Sequence, residues 1–363
     1  MRNFPGDVLF AVKANSSPWM LDAIWAGGVR GFDVASEREL EMTSQRFPTA
    51  QLAFMHPVKS RKAIARAYFD FGVRTFVLDH EEELAKILAE TNHADDLTLV
   101  VRLAVSNDGA SLPLTGKFGA SAQQAPALLR AARRHAAKLG VSFHVGSQCL
   151  RPVTYRAAMR DTGRLIVTAG VTVDVVDVGG GFPAAYPGRE PPALVHYIAA
   201  IKAAWDDMPV LSNAELWCEP GRALCAEAGA LLVRVELRKG DRLYLNDGAY
   251  GSLFDATHAD WRYPVRLVRP SGRAAERLVP FTTYGPTCDS IDQGRHTILL
   301  PEDAREGDYI EFGMLGAYGV AMQTRFNGFG QTLDVEVRDE PWASLYAPAA
   351  TPARRPRDLN VKR

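Results

Sequence analysis

"VDVVDVGGGFP", residues 173–183, is the stretch on which the reading of the fold turns. Valine alternating with aspartate suits a strand, and three consecutive glycines end it. Glycine loses more backbone freedom on ordering than any other residue, so three in a row call for a reason. One reason is a tight turn or a flexible loop. Another is an anion cradle, in which N–H groups approach a phosphate closely because no Cβ intervenes. Both readings stand on this stretch alone.

Working outward, seven further apolar runs precede or follow it: "VLFAVKA", "GFDVAS", "QLAFMH", "RTFVLD", "LTLVVRLA", "VSFHVGS" and "ELWCEPG". Helical stretches lie between them. Ser36 with Glu39 three residues on is a capping-box pattern ahead of "ERELEMTSQ". Asp79 precedes "HEEELAKIL", whose first turn is acidic, as a helix dipole favours. "QQAPALLRAARRHAAKL" and "PPALVHYIAAIKAAW" place apolar residues at helical spacing. Eight strand–helix repeats suit a (β/α)8 barrel over residues 1–227 better than an open doubly wound sheet.

Lys13, Asp33, His56, Asp79, Arg102, His144, Gly179 to Gly181 and Glu219 fall at or near the C-terminal ends of these runs. In such a barrel those ends form one rim, where active sites sit. Strand ends also carry polar residues simply because they meet water. That explanation does not cover a lysine flanked by apolar residues in "FAVKAN", read here as lying within the strand. Nor does it cover glycines after the seventh run, a common phosphate site in barrels of this kind. The cradle is therefore the expectation.

Beyond residue 228 the texture changes to short strands and turns: "GALLVRVELRKGDRLYLNDGAYGSL", "YPVRLVRP", "HTILLPEDAREGDYIEFGMLGAYG" and "TLDVEVRD". A β-barrel or sandwich over 228–345 is expected, then a basic, Pro-rich, disordered tail over 346–363.

Lys and Arg together number 42, as do Asp and Glu, so a formal charge of zero gives no case for nucleic acid or an anionic membrane. No secretory leader or apolar stretch of spanning length is evident. Cys149, Cys218, Cys225 and Cys288 show neither CxxC nor metal-ligand spacing. They read as reduced thiols of a cytoplasmic protein, with no metal.

"FAVKAN", "GFDVAS", "FHVGSQC", "DVGGGFP", "CEPGRAL", "YGPTCDSID", "GAYG" and "FNGF" follow one another across nearly the whole chain. Each is weak alone, and their order is the signal. Together the chain resembles the fold-type III pyridoxal-phosphate decarboxylases, which include ornithine, lysine, arginine and diaminopimelate decarboxylases. The resemblance implies a barrel followed by a β-domain, pyridoxal 5'-phosphate as cofactor, and a homodimer with shared active sites. It implies that Lys13 carries the cofactor covalently, that Glu219 faces its pyridine nitrogen and that His144 stacks on its ring. Arg222, Gly221, Ser147, Gly179, Gly180 and Gly181 match the phosphate-binding positions, and a guanidinium with backbone donors suits a doubly charged phosphate. Asp33 and Arg102 match positions around the cofactor, with a structural salt bridge as the rival reading. The plainer readings are a surface lysine for Lys13, a capping glutamate for Glu219 and a satisfied buried histidine for His144. Cys288 would be the residue that protonates after decarboxylation, Asp289 the ligand of a distal ammonium, and Tyr318 a cofactor contact from the same half of the site. An ordinary buried thiol is the rival for Cys288.

Cys-Asp at 288–289 sets the substrate expectation, because diaminopimelate decarboxylases usually carry Glu there. A distal carboxylate suits a substrate ending in an ammonium, L-ornithine first and then lysine. Arginine and other basic amino acids stay open. Two departures stand out. Ornithine-type relatives place another aspartate after "DGxYGS", where this chain has Ala259; Asp260 is the expected substitute, with Asp255 nearby. Only twelve residues precede Lys13, so the β-domain is expected to lack a strand that relatives use. The rival classes are a racemase, against which "PTCDSID" speaks, and a non-catalytic cofactor-binding or regulatory homologue. The latter tends to lose one of the residues Lys13, Glu219, Arg222, Cys288 and Asp289, all present here.

Overall fold

The computed structural model describes residues 3–114 and 116–338. The tail expected over 346–363 lies outside the described residues. The chain divides into two compact units, Met1–Pro183 with Pro191–Leu224, and Ala184–Glu190 with the chain from Cys225 onward. A seven-residue segment just past the glycines thus goes with the second unit.

The first unit holds eight parallel strands: β1 (Asp7–Ala11), β2 (Gly31–Val34), β3 (Gln51–Phe54), β4 (Thr75–Leu78), β5 (Thr98–Leu103), β6 (Lys138–Phe143), β7 (Val175–Asp177) and β8 (Glu215–Cys218). They close into a barrel in chain order, β8 pairing back onto β1. Helices α1 (Pro18–Ala26), α2 (Glu37–Arg46), α3 (Arg61–Phe69), α4 (Glu81–Glu90), α5 (Ala125–Arg133), α6 (Val153–Ala169) and α7 (Leu194–Trp205) follow successive strands, and α8 (Arg222–Cys225) is a single turn. None of these is long and apolar enough to cross a membrane.

Local chemistry sets the helix starts. Ser36 Oγ accepts from the Glu39 N–H at 3.2 Å, while Glu39 reaches back to the Ala35 N–H at 2.7 Å. This is a capping box displaced by one residue. At α4 the cap is His80, whose Nδ1 accepts from the Glu82 N–H at 3.2 Å. Asp79 instead takes the Gly119 N–H at 2.8 Å, pinning the loop that follows β5. The helical pattern expected through Leu139 stops at Arg133, because β6 starts at Lys138.

Leu9, Ala53, Met55, Val77, Val100, Val175 and Trp217 are buried together inside the barrel. Side chains on a strand alternate, so every second residue from these also points inward. The register makes a ring of such positions above the apolar layer, with Ala11 opposite Asp33, Arg102 opposite Ser142, Ser142 opposite Asp177, and Asp177 opposite Trp217. Two residues further along the chain come Lys13, His144, Gly179 and Glu219. The barrel's geometry thus collects the rim residues.

The second unit contains one mixed six-stranded sheet: β9 (Leu231–Lys239), β10 (Arg242–Leu245), β11 (Val265–Val268), β12 (Leu278–Tyr284), β13 (Ile298–Pro301) and β14 (Tyr309–Phe312), in the order β11-β14-β9-β10-β12-β13. Two differences from the sequence pattern stand out. β12 lies in a stretch not read as a strand, and Pro280 within it masks the pattern. "TLDVEVRD" alternates like a strand, yet residues 332–338 form none, and Leu333, Val335 and Val337 are exposed.

Candidate active site

Lys13 sits two residues past β1, in the one-turn helix Val12–Ala14 rather than within the strand. Val12 and Ala14 are buried, so the turn turns Lys13 outward, leaving its side chain 44% exposed. Its Nζ is ion-paired with Asp33 Oδ2, and Asp33 is buried. The other oxygen, Asp33 Oδ1, accepts no hydrogen bond. Pro220 O accepts the Ala11 N–H at 3.3 Å, tying the end of β1 to the turn after β8. Gly221 in that turn lies where a Cβ would stand 2.9 Å from the Ala14 Cβ. Arg222, the first residue of α8, is buried.

The three glycines are held from both sides. Gly179 and Gly181 have φ of +66° and +100°, and a Cβ at Gly179 would stand 2.0 Å from the Phe143 carbonyl oxygen. A Cβ at Gly180 would stand 2.8 Å from Glu219 O and 2.9 Å from His144 Nε2. The run is therefore a packed bend, and the flexible-loop reading fails. Gly179 O accepts from the Glu219 N–H, Gly180 O from the Tyr155 hydroxyl and Gly181 O from the Cys149 N–H, each at 2.9 Å. The N–H groups of Gly180 and Gly181 donate to nothing among the described residues. Carbonyls fixed and N–H groups left over is the arrangement an anion needs. Ser147 lies in a short ladder pairing Ala110–Leu112 with Ser147–Cys149.

His144 accepts the Gly146 N–H on Nδ1 at 3.0 Å. Burial first, then the charges of Arg102 and Lys13, push its pKa down to about 3, so the ring is neutral. Arg102 also lies over the Phe118 ring, 5.6 Å from its centroid. Glu219, just past β8, is buried, and Oε1 accepts from no donor. Burial, and behind it the Asp177 and Asp33 carboxylates, push its pKa well above the usual glutamate range, against the pull of Lys13. Asp177 is an addition to the sequence reading. It ends β7, fully buried, and its position was legible as one period-two step back from Gly179.

These residues fit pyridoxal phosphate. The cradle has N–H groups with no acceptor among the described residues, a buried carboxyl with an open oxygen suits a ring nitrogen, and an amine stands on the same rim. The group could be held by Gly180 and Gly181 N–H with Arg222 at its phosphate, by Glu219 at its nitrogen and by Lys13 at its aldehyde.

In the second unit, Cys288 and Asp289 follow β12. Cys288 is exposed, and its N–H donates to Asn327 Oδ1 at 3.2 Å. Asp289 Oδ2 accepts from the Tyr250 hydroxyl at 2.6 Å and Oδ1 from the Ile291 N–H at 3.1 Å. The Tyr250 hydroxyl, then that N–H, hold its carboxyl below the usual range. Tyr250 packs on Phe326, ring centroids 4.8 Å apart. Tyr318 occupies a turn with φ of +55°. Asp260 is half-exposed and engaged by two guanidiniums, Arg189 at 3.4 Å and Arg295 at 3.3 Å. Asp255 is buried and accepts from the Tyr263 hydroxyl. Ala259 is buried as well. The carboxylates after Tyr250 are thus committed within their own unit.

Residues 2–226 match the family profile described as "Pyridoxal-dependent decarboxylase, pyridoxal binding domain". The chain is similar to the lysine/ornithine decarboxylase of Selenomonas ruminantium, 32% identical over 92% of this chain and 84% of that one. It is also 32% identical to antizyme inhibitor 2 of Xenopus laevis, over 89% of this chain and 74% of the other. Among solved structures, the arginine decarboxylase of Paramecium bursaria Chlorella virus bound to agmatine superposes with a TM-score of 0.79 at 27% identity, covering 91% of this chain and 89% of that one. A profile across more than half the chain, with the cradle, lysine and buried glutamate in place, makes the chain a member of the fold-type III pyridoxal-dependent decarboxylases and a pyridoxal-phosphate-dependent amino-acid decarboxylase.

Proposed function

We propose that the enzyme decarboxylates a basic L-amino acid ending in an ammonium, L-ornithine before L-lysine, to give a diamine such as putrescine. The observation that carries this is Asp289. It is ionised, oriented by Tyr250 and beside Cys288, and no cation pairs with it among the described residues. A substrate ammonium would supply that missing partner. Asp260, by contrast, already holds two arginines. The selectivity expected of an Asp260 substitute therefore falls to Asp289.

Bound pyridoxal phosphate supplies the electron sink that lets carbon dioxide leave. The chain's own residues do the rest. Asp33 orients the Lys13 amine. The neutral His144 ring offers an uncharged face, and Cys288 carries the proton that replaces the lost carboxylate. The resemblance implies that the segment carrying Cys288 and Asp289 reaches the partner's barrel, so we read the active form as a homodimer with two shared sites. Four cysteines with neither CxxC nor metal-ligand spacing support a cytoplasmic setting. The likeness to antizyme inhibitor 2 raises a non-catalytic alternative, against which stands the retention of Lys13, Glu219, Arg222, Cys288 and Asp289 together.

Carbon dioxide release from cofactor-loaded protein tests this, with L- and D-ornithine, L-lysine, L-arginine and meso-diaminopimelate offered separately. Preference for L-ornithine, with L-lysine second, is the expected result. Turnover of arginine or diaminopimelate alone, or none at all, overturns it.

A further inference from the structure

Asp177 has no task in the reading above. It is the last residue of β7, inward-facing two positions beyond the core residue Val175, and fully buried. Oδ1 accepts the Gly179 N–H at 2.8 Å, which anchors the side chain to the first glycine of the cradle. Oδ2 accepts from no donor. Its neighbour is Glu219, and the two carboxyls lie within hydrogen-bonding reach of each other. Glu219 Oε1 likewise accepts from no donor. Two carboxylates in contact away from water repel, so the low-energy arrangement is one proton between them.

Resting on the assignment of Glu219 to the cofactor's ring nitrogen, we propose that Asp177 is a positioning residue for Glu219, and that the pair stores the one proton which that nitrogen requires. On cofactor entry a carboxyl O–H bond breaks and an N–H bond forms at the pyridine nitrogen. The pair goes from one negative charge to two and the ring gains one positive charge, so the net charge of the site is unchanged. The surroundings suit such a store. Asp33, from β2, adds negative charge that discourages a second ionisation, while Lys13, in the turn after β1, and Arg102, from β5, keep the remaining negative charge tolerable. His144 is neutral, and Cys218 on β8 is held as the thiol by burial, so neither competes for the proton.

Asp177→Asn separates storage from structure, because asparagine keeps an oxygen for the Gly179 N–H and cannot share an acidic proton. Cofactor-free protein is loaded with pyridoxal phosphate in a calorimeter, in buffers of differing ionisation enthalpy. Losing the Asp177 charge weakens the hold of Glu219 on its proton, so the variant is expected to draw more protons from solvent than the wild type, by up to about one. Equal uptake overturns the proposal, even if the variant binds the cofactor more weakly. Should the variant fail to fold, the wild type alone gives a second readout. The infrared difference between loaded and cofactor-free protein should show loss of a protonated carboxyl band, and no loss overturns the proposal. Glu219→Gln tests the assignment underneath. If it leaves the bound cofactor's absorbance unchanged, that assignment fails. If it shifts the absorbance while Asp177→Asn leaves proton uptake unchanged, only the present proposal fails.

Discussion

The barrel rim and the Cys288–Asp289 segment solve the problem of placing a charge in opposite ways. On the rim, strand register does the placing. Asp33, Asp177 and Glu219 are buried, and burial drives Asp177 and Glu219 toward their protonated forms. In the second unit a turn and two hydrogen bonds do the placing. Asp289 faces solvent, and its partners drive it toward the ionised form. Buried carboxyls that resist ionisation suit a group that stays, such as a resident cofactor. An ionised carboxylate that hydrogen bonds orient but no cation pairs with among the described residues suits a ligand that comes and goes.

The comparison breaks first at Lys13. Replacing it with alanine removes the amine that Asp33 orients, and turnover should fall by about a thousandfold or more. Cofactor absorbance should change with it. A variant that keeps both turnover and spectrum would return Lys13 to the status of a surface lysine. Next is the cradle. Gly180→Ala puts a methyl within 3 Å of Glu219 O and His144 Nε2, and such overpacking costs about 1–3 kcal/mol. Cofactor affinity measured by equilibrium dialysis should drop by about tenfold or more. An unchanged affinity would mean that the bend is structural only.

On the other side of the comparison, Asp289→Asn should leave cofactor binding alone and act on substrate. The expected outcome is a rise of about tenfold or more in KM for ornithine, since a charged partner is lost. If KM holds steady while cofactor binding weakens, the division between resident and transient ligands is wrong. Mixing Lys13→Ala with Cys288→Ala protein sharpens it further. Shared sites predict partial recovery of activity through mixed dimers, and no recovery under exchange conditions argues against sharing.

How much of this was visible in the chain follows the same division. The barrel was legible because period-two runs and capped helices repeat, and repetition averages out local ambiguity. The rim residues were legible because they end those runs. Asp177 was passed over because it sits inside the run rather than at its end, although the step from Val175 to Gly179 passes through it. In the second unit local pattern misled in both directions. Pro280 hid a real strand, and the alternation at 332–338 advertised one that does not form. Asp260 was chosen by adjacency to the aligned position, but its arginine partners, Arg189 and Arg295, are remote in sequence. Tyr250 was read only as part of a motif. Its bond to Asp289 spans 39 positions, and no local pattern carries that.

That bond gives the smallest and most diagnostic effect. Tyr250→Phe removes the hydroxyl that donates to Asp289 Oδ2 while leaving the ring against Phe326. The Ile291 N–H still holds the other oxygen, so Asp289 stays roughly in place. KM should rise only about threefold at neutral pH, the effect of one hydrogen bond at a half-buried site. The acid side of the pH profile distinguishes orientation from packing. The hydroxyl favours the ionised carboxylate, so its removal lets the Asp289 pKa climb back toward the ordinary aspartate value. Ionised Asp289 is the form that binds an ammonium, so the acid limb of kcat/KM should move to higher pH in the variant. It should not move in Asp289→Asn, which has no acid to titrate, and adding Tyr250→Phe to that variant should cost little more. A Tyr250→Phe profile that drops evenly at every pH would mean that the tyrosine merely packs, and that Asp289 owes its state to the backbone alone.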